Sequence, residues 1–351
     1  MRPPKIDLYS DTQTRPSPGM REAMARAVVG DEQADEDPTT LELCRRVANL
    51  LGMEASLLLP SGTMCNLVAV LLHVRPGGEI IVDEGSHLLN TEAGGAAAVA
   101  GASIRPVRGQ WGVFTPDELR RAIRRAARTA PLSTLVVAEQ TTFSAGAVWQ
   151  VRDLHAIRDA AHDHGLRTHL DGARLLNAAV VLGATPQTLT EGWDSAWLDL
   201  TKGLGCPVGA LLCGSSAFIQ EAWRWKQRLG GAMRQSGVLA TAGLYALDHH
   251  VDRLRVDHEN AALLYNLLSA DKAFLFEAGE PQSNIVRFSL DGLDADDLER
   301  RCAQAGVRVR ALNQREVRAT MHLDVSRMQV TEAARTLREA AVAARREGKG
   351  P

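Results

Sequence analysis

The sequence predicts an α/β protein with a mostly parallel mixed sheet flanked by helices in a large domain, and a smaller C-terminal α+β domain. Three observations support this fold class. Apolar strand-like runs alternate with helical patterns over residues 57–214, which is typical of a parallel sheet covered by helices on both faces. A long helical pattern follows at 237–268, and a second, shorter alternation begins after it. With 351 residues the chain is long enough for two domains.

The elements follow in chain order. Residues 1–37 are polar and rich in proline, glycine and acidic residues, so we expect an N-terminal arm that is extended. Asp37 and Pro38 are typical of a helix cap and a first helical residue, and Gly52 of a helix end. The large domain is predicted at 38–245, with strands at 57–59, 79–83, 103–107, 132–139, 166–171, 193–200 and 209–214, and helices at 67–74, 91–101, 116–128 and 151–164. The small domain is predicted at 246–351, with strands at 285–290, 307–310 and 317–323 and helices at 294–305 and 331–346.

Composition excludes several classes of function. The chain is 45% hydrophobic and 23% charged, and its net charge of −2 offers no electrostatic footprint for nucleic acid or an anionic membrane. No apolar run approaches the roughly 20 residues of a membrane span, and the N-terminal residues contain no apolar signal core. The five cysteines are odd in number and form no CxxC pair, which favours reduced thiols and a cytoplasmic protein.

One lysine stands out at the end of a predicted strand. Lys202 follows the apolar run at 193–200 and precedes three glycines and a proline, so the backbone beside it can approach another molecule closely. A crowded, desolvated ammonium group has a lowered pKa, which makes its amine a nucleophile toward carbonyl groups. Upstream, another apolar strand ends in an aspartate and an arginine, Asp171 and Arg174. Since ligands of such sheets bind at the carboxyl ends of the strands, we expect a site there that also includes His87.

Several motifs occur together in one collinear order. They include Ser61-Gly-Thr-Met64, His87-x4-Glu92-Ala-Gly-Gly95, His169-Leu-Asp-Gly-Ala-Arg-Leu175, Lys202-Gly-Leu-Gly-x-Pro-Val-Gly209 and Gly230-Gly-x-Met-Arg-Gln235. Over roughly residues 6–340 this set resembles the low-specificity L-threonine aldolases of the β-eliminating lyase family. Those proteins are pyridoxal 5′-phosphate (PLP) enzymes of the aspartate-aminotransferase fold, type I. The resemblance therefore implies that fold, PLP as the cofactor and an amino acid as the substrate.

The resemblance also implies roles for individual residues. Lys202 would form the Schiff base with PLP, Asp171 would face the pyridine nitrogen and keep it protonated, and His87 would stack on the ring. The phosphate would be bound by Gly62 and Thr63 at a helix N-terminus, and by Arg234 from a neighbouring subunit. The substrate carboxylate would be bound by Ser10, Arg174 and Arg318.

The chain departs from the family at four positions that line the substrate side of the site in these aldolases. Thr142 stands where these aldolases commonly carry a histidine, and Ala34, Tyr9 and Gln227 replace a tyrosine, an arginine and a lysine. The histidine is a candidate base for the substrate hydroxyl, so its loss leaves His87 or a bound water in that role. We therefore expect retained cofactor chemistry with an altered side-chain pocket.

The expected activity is that of an aldehyde-lyase, which cleaves a β-hydroxy-α-amino acid such as threonine or allo-threonine to glycine and an aldehyde. The alternative within PLP chemistry is β-elimination, or another reaction at Cα of a different amino acid. A noncatalytic relative is disfavoured because both Lys202 and Asp171 are present. Family members are usually homotetramers, so we expect a homo-oligomer, a dimer or tetramer with sites at the subunit interface.

Two other patterns have competing interpretations. The spacing of Gly203, Gly205 and Gly209 faintly resembles a dinucleotide loop of an oxidoreductase, but that loop requires a following helix and the next residues read as a strand. The histidines and aspartates at 248–250 and 257–258 resemble a metal site only weakly, because no cysteine or glutamate completes a ligand set. The polar face of a helix is the better account, and we predict no metal.

Overall fold

The computed structural model describes residues 4–347. The chain divides into two units: a large unit, Pro16–Val251, and a small unit formed by the chain up to Arg15 and the chain from Asp252 onward. The strands are β1 (Ile6–Asp7), β2 (Ala55–Leu59), β3 (Glu79–Asp83), β4 (Ser103–Val107), β5 (Ser133–Glu139), β6 (Arg167–Asp171), β7 (Ser195–Asp199), β8 (Ala210–Gly214), β9 (Phe274–Leu275), β10 (Ile285–Leu290), β11 (Val307–Arg308), β12 (Arg310–Ala311) and β13 (Glu316–Thr320).

The helices surround these strands in both units. They are α1 (Pro18–Ala25), α2 (Pro38–Leu51), α3 (Gly62–His73), α4 (His87–Asn90), α5 (Gly95–Ala98), α6 (Pro116–Ala122), α7 (Val151–His162), α8 (Leu175–Leu182), α9 (Pro186–Thr190), α10 (Ser216–Arg228), α11 (Gly237–His249), α12 (Leu254–Leu268), α13 (Ala295–Gln304) and α14 (Arg327–Glu347). Within residues 4–347, none of the helices is both long and apolar enough to cross a membrane.

The large unit contains a seven-stranded mixed sheet in the order β2-β8-β7-β6-β5-β3-β4. Neighbours from β7 to β4 are parallel, whereas β8 runs antiparallel to both β7 and β2. Because β8 is reversed relative to both neighbours, β2 points the same way as the parallel strands. The carboxyl ends of β2, β3, β5, β6 and β7 therefore share one edge, which we call the site edge. The predicted fold class, with a mostly parallel mixed sheet, is confirmed.

Apolar burial and helix capping explain why these segments take these forms. Every residue of β3, β7 and β8 is buried, as expected for strands covered on both faces. In α2 the Asp37 side chain accepts a hydrogen bond from the Thr40 amide, and Gly52 ends the helix at φ 62°. Such a cap contributes about 1 kcal/mol, and the left-handed backbone favours glycine. The caps predicted from the sequence at these two residues are confirmed.

Several elements differ from the sequence-based expectation. The predicted arm contains α1, because the Ser17 side chain caps the helix, Pro18 occupies its first turn and Met20 becomes fully buried. The helix predicted at 91–101 is interrupted at Ala93 and Gly94, whose φ angles are 51° and 70°. The basic helix predicted at 116–128 ends at Ala122. The sequence analysis did not identify α8 or α10.

The small unit contains a four-stranded antiparallel sheet in the order β12-β13-β10-β9, and β1 pairs in parallel with β11. Its core is one apolar cluster to which β10, β13, α12, α13 and α14 contribute. The division of the chain differs in detail from the predicted bounds of 1–37, 38–245 and 246–351, since the first fifteen residues group with the C-terminal unit. Those bounds as functional domains stay a prediction.

Candidate active site

Four of the chemically important side chains lie at or just beyond strand ends on the site edge. Glu139 and Asp171 are the last residues of β5 and β6 and stand opposite each other in the parallel register. His87 begins α4 shortly after β3, and Lys202 follows β7 in a single turn of 3-10 helix. Parallel strands bring residues from distant parts of the sequence to one edge, so the topology alone places these groups together.

Lys202 has an unusual backbone and a close carboxylate partner. Its φ angle is 54°, in the left-handed region that costs a non-glycine residue about 1–2 kcal/mol. Its Nζ atom lies 2.6 Å from Oδ2 of Asp199 and 5.5 Å from the centroid of the Trp197 ring. The other carboxylate oxygen, Oδ1, accepts hydrogen bonds from the Thr201 amide and hydroxyl at 2.9 and 2.7 Å. Asp199 is therefore fixed locally and holds the lysine amine over a buried aromatic ring.

Asp171 and His87 are connected through two side chains that the sequence analysis did not single out. Asp171 is 2% exposed, and its Oδ2 atom accepts a hydrogen bond of 2.8 Å from the amide of Asn66. The same amide donates to Oε1 of Glu92 at 2.7 Å, and this oxygen also lies 2.8 Å from Nδ1 of His87. The Glu92 carboxylate accepts a hydrogen bond, so in neutral His87 the proton lies on Nδ1 and Nε2 is the nitrogen that can accept a further proton.

Trp197 completes the connection between the lysine and this network. Its indole Nε1 donates a hydrogen bond of 2.8 Å to Oδ1 of Asn66. A Cβ atom on Gly62 would lie 2.2 Å from the Trp197 ring, so only glycine allows the start of α3 to approach the indole this closely. The described contacts thus place Lys202, Asn66 and the N-terminus of α3 around one tryptophan.

Glu139 is a buried carboxyl group beside Asp171. Burial first, and the nearby Asp171 second, raise the pKa of Glu139 to about 8. Its two oxygens accept hydrogen bonds from the His87 amide at 2.5 Å and the Phe143 amide at 2.8 Å, which oppose that rise. The Phe143 ring meets the imidazole of His87 edge to face, with centroids 5.1 Å apart. Glu139 therefore fixes the backbone of His87 and the backbone of the residue whose ring packs against it.

The predicted phosphate ligands lie in two different environments. Ser61 caps the twelve-residue helix α3 by accepting a hydrogen bond from the Met64 amide, and Gly62 and Thr63 form its first turn. Thr63 is exposed at that helix end. The Arg234 side chain is 62% exposed and forms an ion pair of 2.7 Å with Asp31. Gly62 thus reaches the Trp197 network, whereas the role of Arg234 stays a prediction.

The three predicted ligands of the substrate carboxylate are distributed over both units. Arg174 is buried in the large unit, where its amide donates to the Gln140 carbonyl and α8 begins beside it. Ser10 and Arg318 belong to the small unit and are 5% and 2% exposed. Their joint role in binding a carboxylate stays a prediction.

The four departures from the family occupy different environments. Thr142 is fully buried, and its hydroxyl donates to the Trp111 carbonyl at 2.8 Å and accepts from the Ala147 amide at 3.0 Å. Thr142 therefore stabilises the loop that contains it and connects this loop to Trp111. In the small unit, the guanidinium of Arg308 lies 4.1 Å from the Tyr9 ring centroid. Ala34 and Gln227 are exposed in the large unit.

Neither competing interpretation gains support from the geometry. The glycines at 203–209 are followed directly by β8, whereas a dinucleotide loop requires a helix. Asp248 forms an ion pair with Arg46, and the His250 ring bonds the Leu204 carbonyl. In the part of the chain that the structure describes, no group of three or more acidic, histidine or cysteine side chains is arranged to hold a metal ion.

The chain is similar to known proteins over most of its length. The family described as Beta-eliminating lyase matches residues 7–291. The chain is 39% identical to the low-specificity L-threonine aldolase of Escherichia coli K12, covering 94% of this chain and 97% of the relative. It is 35% identical to low-specificity L-threonine aldolase 1 of Arabidopsis thaliana, covering 92% of each chain.

A solved structure shows the same fold. The threonine aldolase of Leishmania major superposes with a TM-score of 0.82 at 19% identity, covering 96% of this chain and 99% of that one. The match to the family covers the whole of the large unit and extends into both segments of the small one. The chain therefore belongs to the β-eliminating lyase family.

Proposed function

We propose that this protein binds PLP and cleaves a β-hydroxy-α-amino acid, of the threonine or allo-threonine type, to glycine and an aldehyde. Two relatives that are 35–39% identical over most of their length are low-specificity L-threonine aldolases. The observation that carries the proposal is the connected network at the site edge. It combines a lysine amine, a buried carboxylate and a histidine with a carboxylate partner.

The chemistry of this donor set fits PLP. The Lys202 amine suits the aldehyde of the cofactor, and the Asp171 carboxylate, which is 2% exposed, suits a protonated ring nitrogen. The free amides at the start of α3, with Gly62 and Thr63, suit a phosphate at the positive end of a helix dipole. When bound, PLP supplies an electron sink that stabilises negative charge at the substrate Cα.

The protein's own residues would bind, orient and exchange protons. Lys202 would hold the cofactor covalently, and the carboxylate of Asp199 would receive its ammonium group when a substrate amine replaces it. His87 would accept the proton of the substrate β-hydroxyl at Nε2, since Glu92 holds Nδ1. Arg174 would bind the substrate carboxylate and so help to determine which Cα bond is broken.

The test is aldehyde release from L-threonine, L-allo-threonine and L-phenylserine by the PLP-loaded protein. Release of aldehyde and glycine in equal amounts is expected. The relative rates for the three substrates measure the specificity of the pocket for the substrate side chain. Lys202→Ala is the control, because it should lose both turnover and the covalent attachment of PLP that borohydride reduction and mass spectrometry detect. Ammonia and a keto acid in place of aldehyde and glycine would replace the proposal with β-elimination.

The proposed base has its own test. His87→Ala should lower kcat by about 100-fold or more while PLP still attaches to Lys202, because general-base catalysis contributes on that order. Phe143→Ala is a matched control, since it removes the ring that packs against the imidazole and leaves the base in place. Equal turnover of His87→Ala and wild type would exclude His87 as the base.

Assembly and location are also part of the proposal. We infer a homo-oligomer, a dimer or tetramer with sites at the subunit interface, from the family resemblance. The five cysteines are all free thiols in the structure, which supports a reducing compartment such as the cytoplasm. Light scattering at several protein concentrations tests the assembly, and a monomer that is fully active would contradict shared sites.

A further inference from the structure

Asn66 has no exposed surface, and all four of its hydrogen-bonding positions are occupied. Its Nδ2 donates to Asp171 and Glu92 at 2.8 and 2.7 Å. Its Oδ1 accepts from the Trp197 indole at 2.8 Å and contacts Nε2 of His169 at 3.2 Å. An amide side chain offers two donor hydrogens and two acceptor lone pairs, so this asparagine is fully satisfied.

The contact with His169 continues into a chain of hydrogen bonds. Nδ1 of His169 lies 2.7 Å from the Ser195 hydroxyl, and Nε2 of His73 lies 2.7 Å from the same hydroxyl. Since Oδ1 of Asn66 only accepts, His169 carries its proton on Nε2 and accepts at Nδ1. Ser195 must then donate to His169, and His73 must donate to Ser195. All the hydrogen bonds run in one direction, from His73 toward Asp171.

Burial keeps this direction fixed. Desolvation lowers the pKa of His169 to about 3, with a smaller contribution from His73. Desolvation also lowers the pKa of His73 to about 4, while Asp194 opposes this shift and Arg167 adds to it. Both rings are neutral over the ordinary pH range, so each has one donor and one acceptor nitrogen. The direction of one hydrogen bond in the chain therefore determines the direction of all the others.

The opposite orientation of the Asn66 amide is strongly disfavoured. It would bring Oδ1 against the carboxylates of Asp171 and Glu92, and an amide hydrogen against the indole N–H of Trp197. The two carboxylates would each lose a donor and face an oxygen with partial negative charge, and the indole N–H would face a second donor.

We propose that Asn66 is the positioning residue that holds Asp171 and Glu92 at a fixed separation, with an amide orientation imposed by the Trp197 indole and the two carboxylates and continued by the hydrogen-bond chain to His73. Through Asp171 the amide acts on the group that meets the PLP ring nitrogen, and through Glu92 it acts on the imidazole of His87. This inference rests on the proposed function for its consequence in PLP binding, and its geometry belongs to the protein alone.

The first experiment measures histidine tautomers in the PLP-free protein. Two-bond ¹H–¹⁵N correlation spectra of protein labelled with ¹⁵N-histidine distinguish Nδ1–H, Nε2–H and charged rings. His73 and His169, assigned by substitution, should both be neutral Nε2–H rings from pH 5 to pH 9. An Nδ1–H tautomer or a charged ring at either position would overturn the directed chain. This experiment requires no variant of Asn66 to fold.

The second experiment measures the apparent Kd for PLP. Asn66→Asp keeps the size of the side chain but removes both donor hydrogens, and Asn66→Ala removes the whole amide. Both should raise the Kd about tenfold or more, because each removes a hydrogen bond to a buried carboxylate. Asn260→Asp is the matched control, since Asn260 is also buried and donates to the Val325 carbonyl in the small unit. Its Kd should match the wild type even where its stability falls.

The outcomes separate this inference from the proposed function. Unchanged PLP affinity in both Asn66 variants would overturn the positioning role, whatever the activity of the wild type. Weakened affinity in the variants, together with a wild type that binds PLP but releases no aldehyde, would support the positioning role and contradict the proposed reaction.

Discussion

The raised pKa of Glu139 predicts how the stability of the PLP-free protein depends on pH. Burial and the neighbouring Asp171 raise this pKa from 4.5 to about 8. Between these values the folded protein keeps a proton that the unfolded chain has released. The free energy of unfolding therefore falls as the pH rises through this window. For one fully buried carboxyl group, the loss is on the order of 5 kcal/mol.

Glu139→Gln removes the titration and keeps the shape. Glutamine has one carbonyl oxygen, so it can accept from the His87 amide or from the Phe143 amide but not from both. The lost acceptor costs about 1–3 kcal/mol at every pH. The wild type should therefore be more stable than the variant by about 1–3 kcal/mol near pH 5. This difference should decrease by several kcal/mol, on the order given above, and reverse in sign by pH 9.

Urea unfolding followed by tryptophan fluorescence measures this difference. All six tryptophans, at 111, 149, 193, 197, 223 and 225, lie in the large unit that contains Glu139, so the signal reports that unit. Unfolding curves of both proteins are compared in PLP-free buffer from pH 5 to pH 9. A difference that stays constant over this range would refute the shared burial of Glu139 and Asp171 as the source of the pH dependence.

Three further changes have expected outcomes. Asp194→Asn should show the opposite pH dependence in the same urea assay. Burial raises the pKa of Asp194, but hydrogen bonds from His162, Arg167 and Thr168 outweigh burial and lower it. The wild type should therefore be more stable than the variant above about pH 4, and this advantage should disappear on acidification. Thr142→Ala should lower the free energy of unfolding by about 1–3 kcal/mol at all pH values, whereas Thr142→Ser restores it; equal midpoints for both variants would contradict the loop role. Lys226→Met leaves the buried carboxylate of Glu32 without its partner and should cost about 3–5 kcal/mol, most of which the double variant with Glu32→Gln recovers; additive losses would contradict the ion pair.

The sequence predicts those features of the fold that depend on neighbouring residues. Caps such as Asp37 and Gly52 act within four residues, and apolar strands ending in polar residues identify the site edge. Lys202, Asp171 and His87 are predicted there for the same reason, because a parallel sheet brings its strand ends together. The arm was predicted wrongly as extended, since α1 becomes stable only through tertiary burial of Met20.

Long-range partners could not be predicted in the same way. Asn66 is 105 positions from Asp171 and 131 positions from Trp197 along the chain, so no local pattern identifies these residues as its partners. Asn66 is nevertheless a recoverable signal, since a polar residue on the buried face of an apolar helix requires partners. Glu139 could have been found from its position at the end of β5, next to the strand that supplies Asp171.

Lys202 and Asp171, the two anchors of the proposed cofactor site, are held by different kinds of contact, and neither contact involves Thr142. Lys202 is paired with Asp199, three residues earlier, so its position depends on one turn of the backbone. Asp171 depends on Asn66, whose other bonds lead to the far end of α3 and to β7. Neither arrangement uses Thr142, whose hydroxyl is occupied by the backbone of its own loop and of Trp111. Replacement of Thr142 is therefore expected to leave both anchors with their partners.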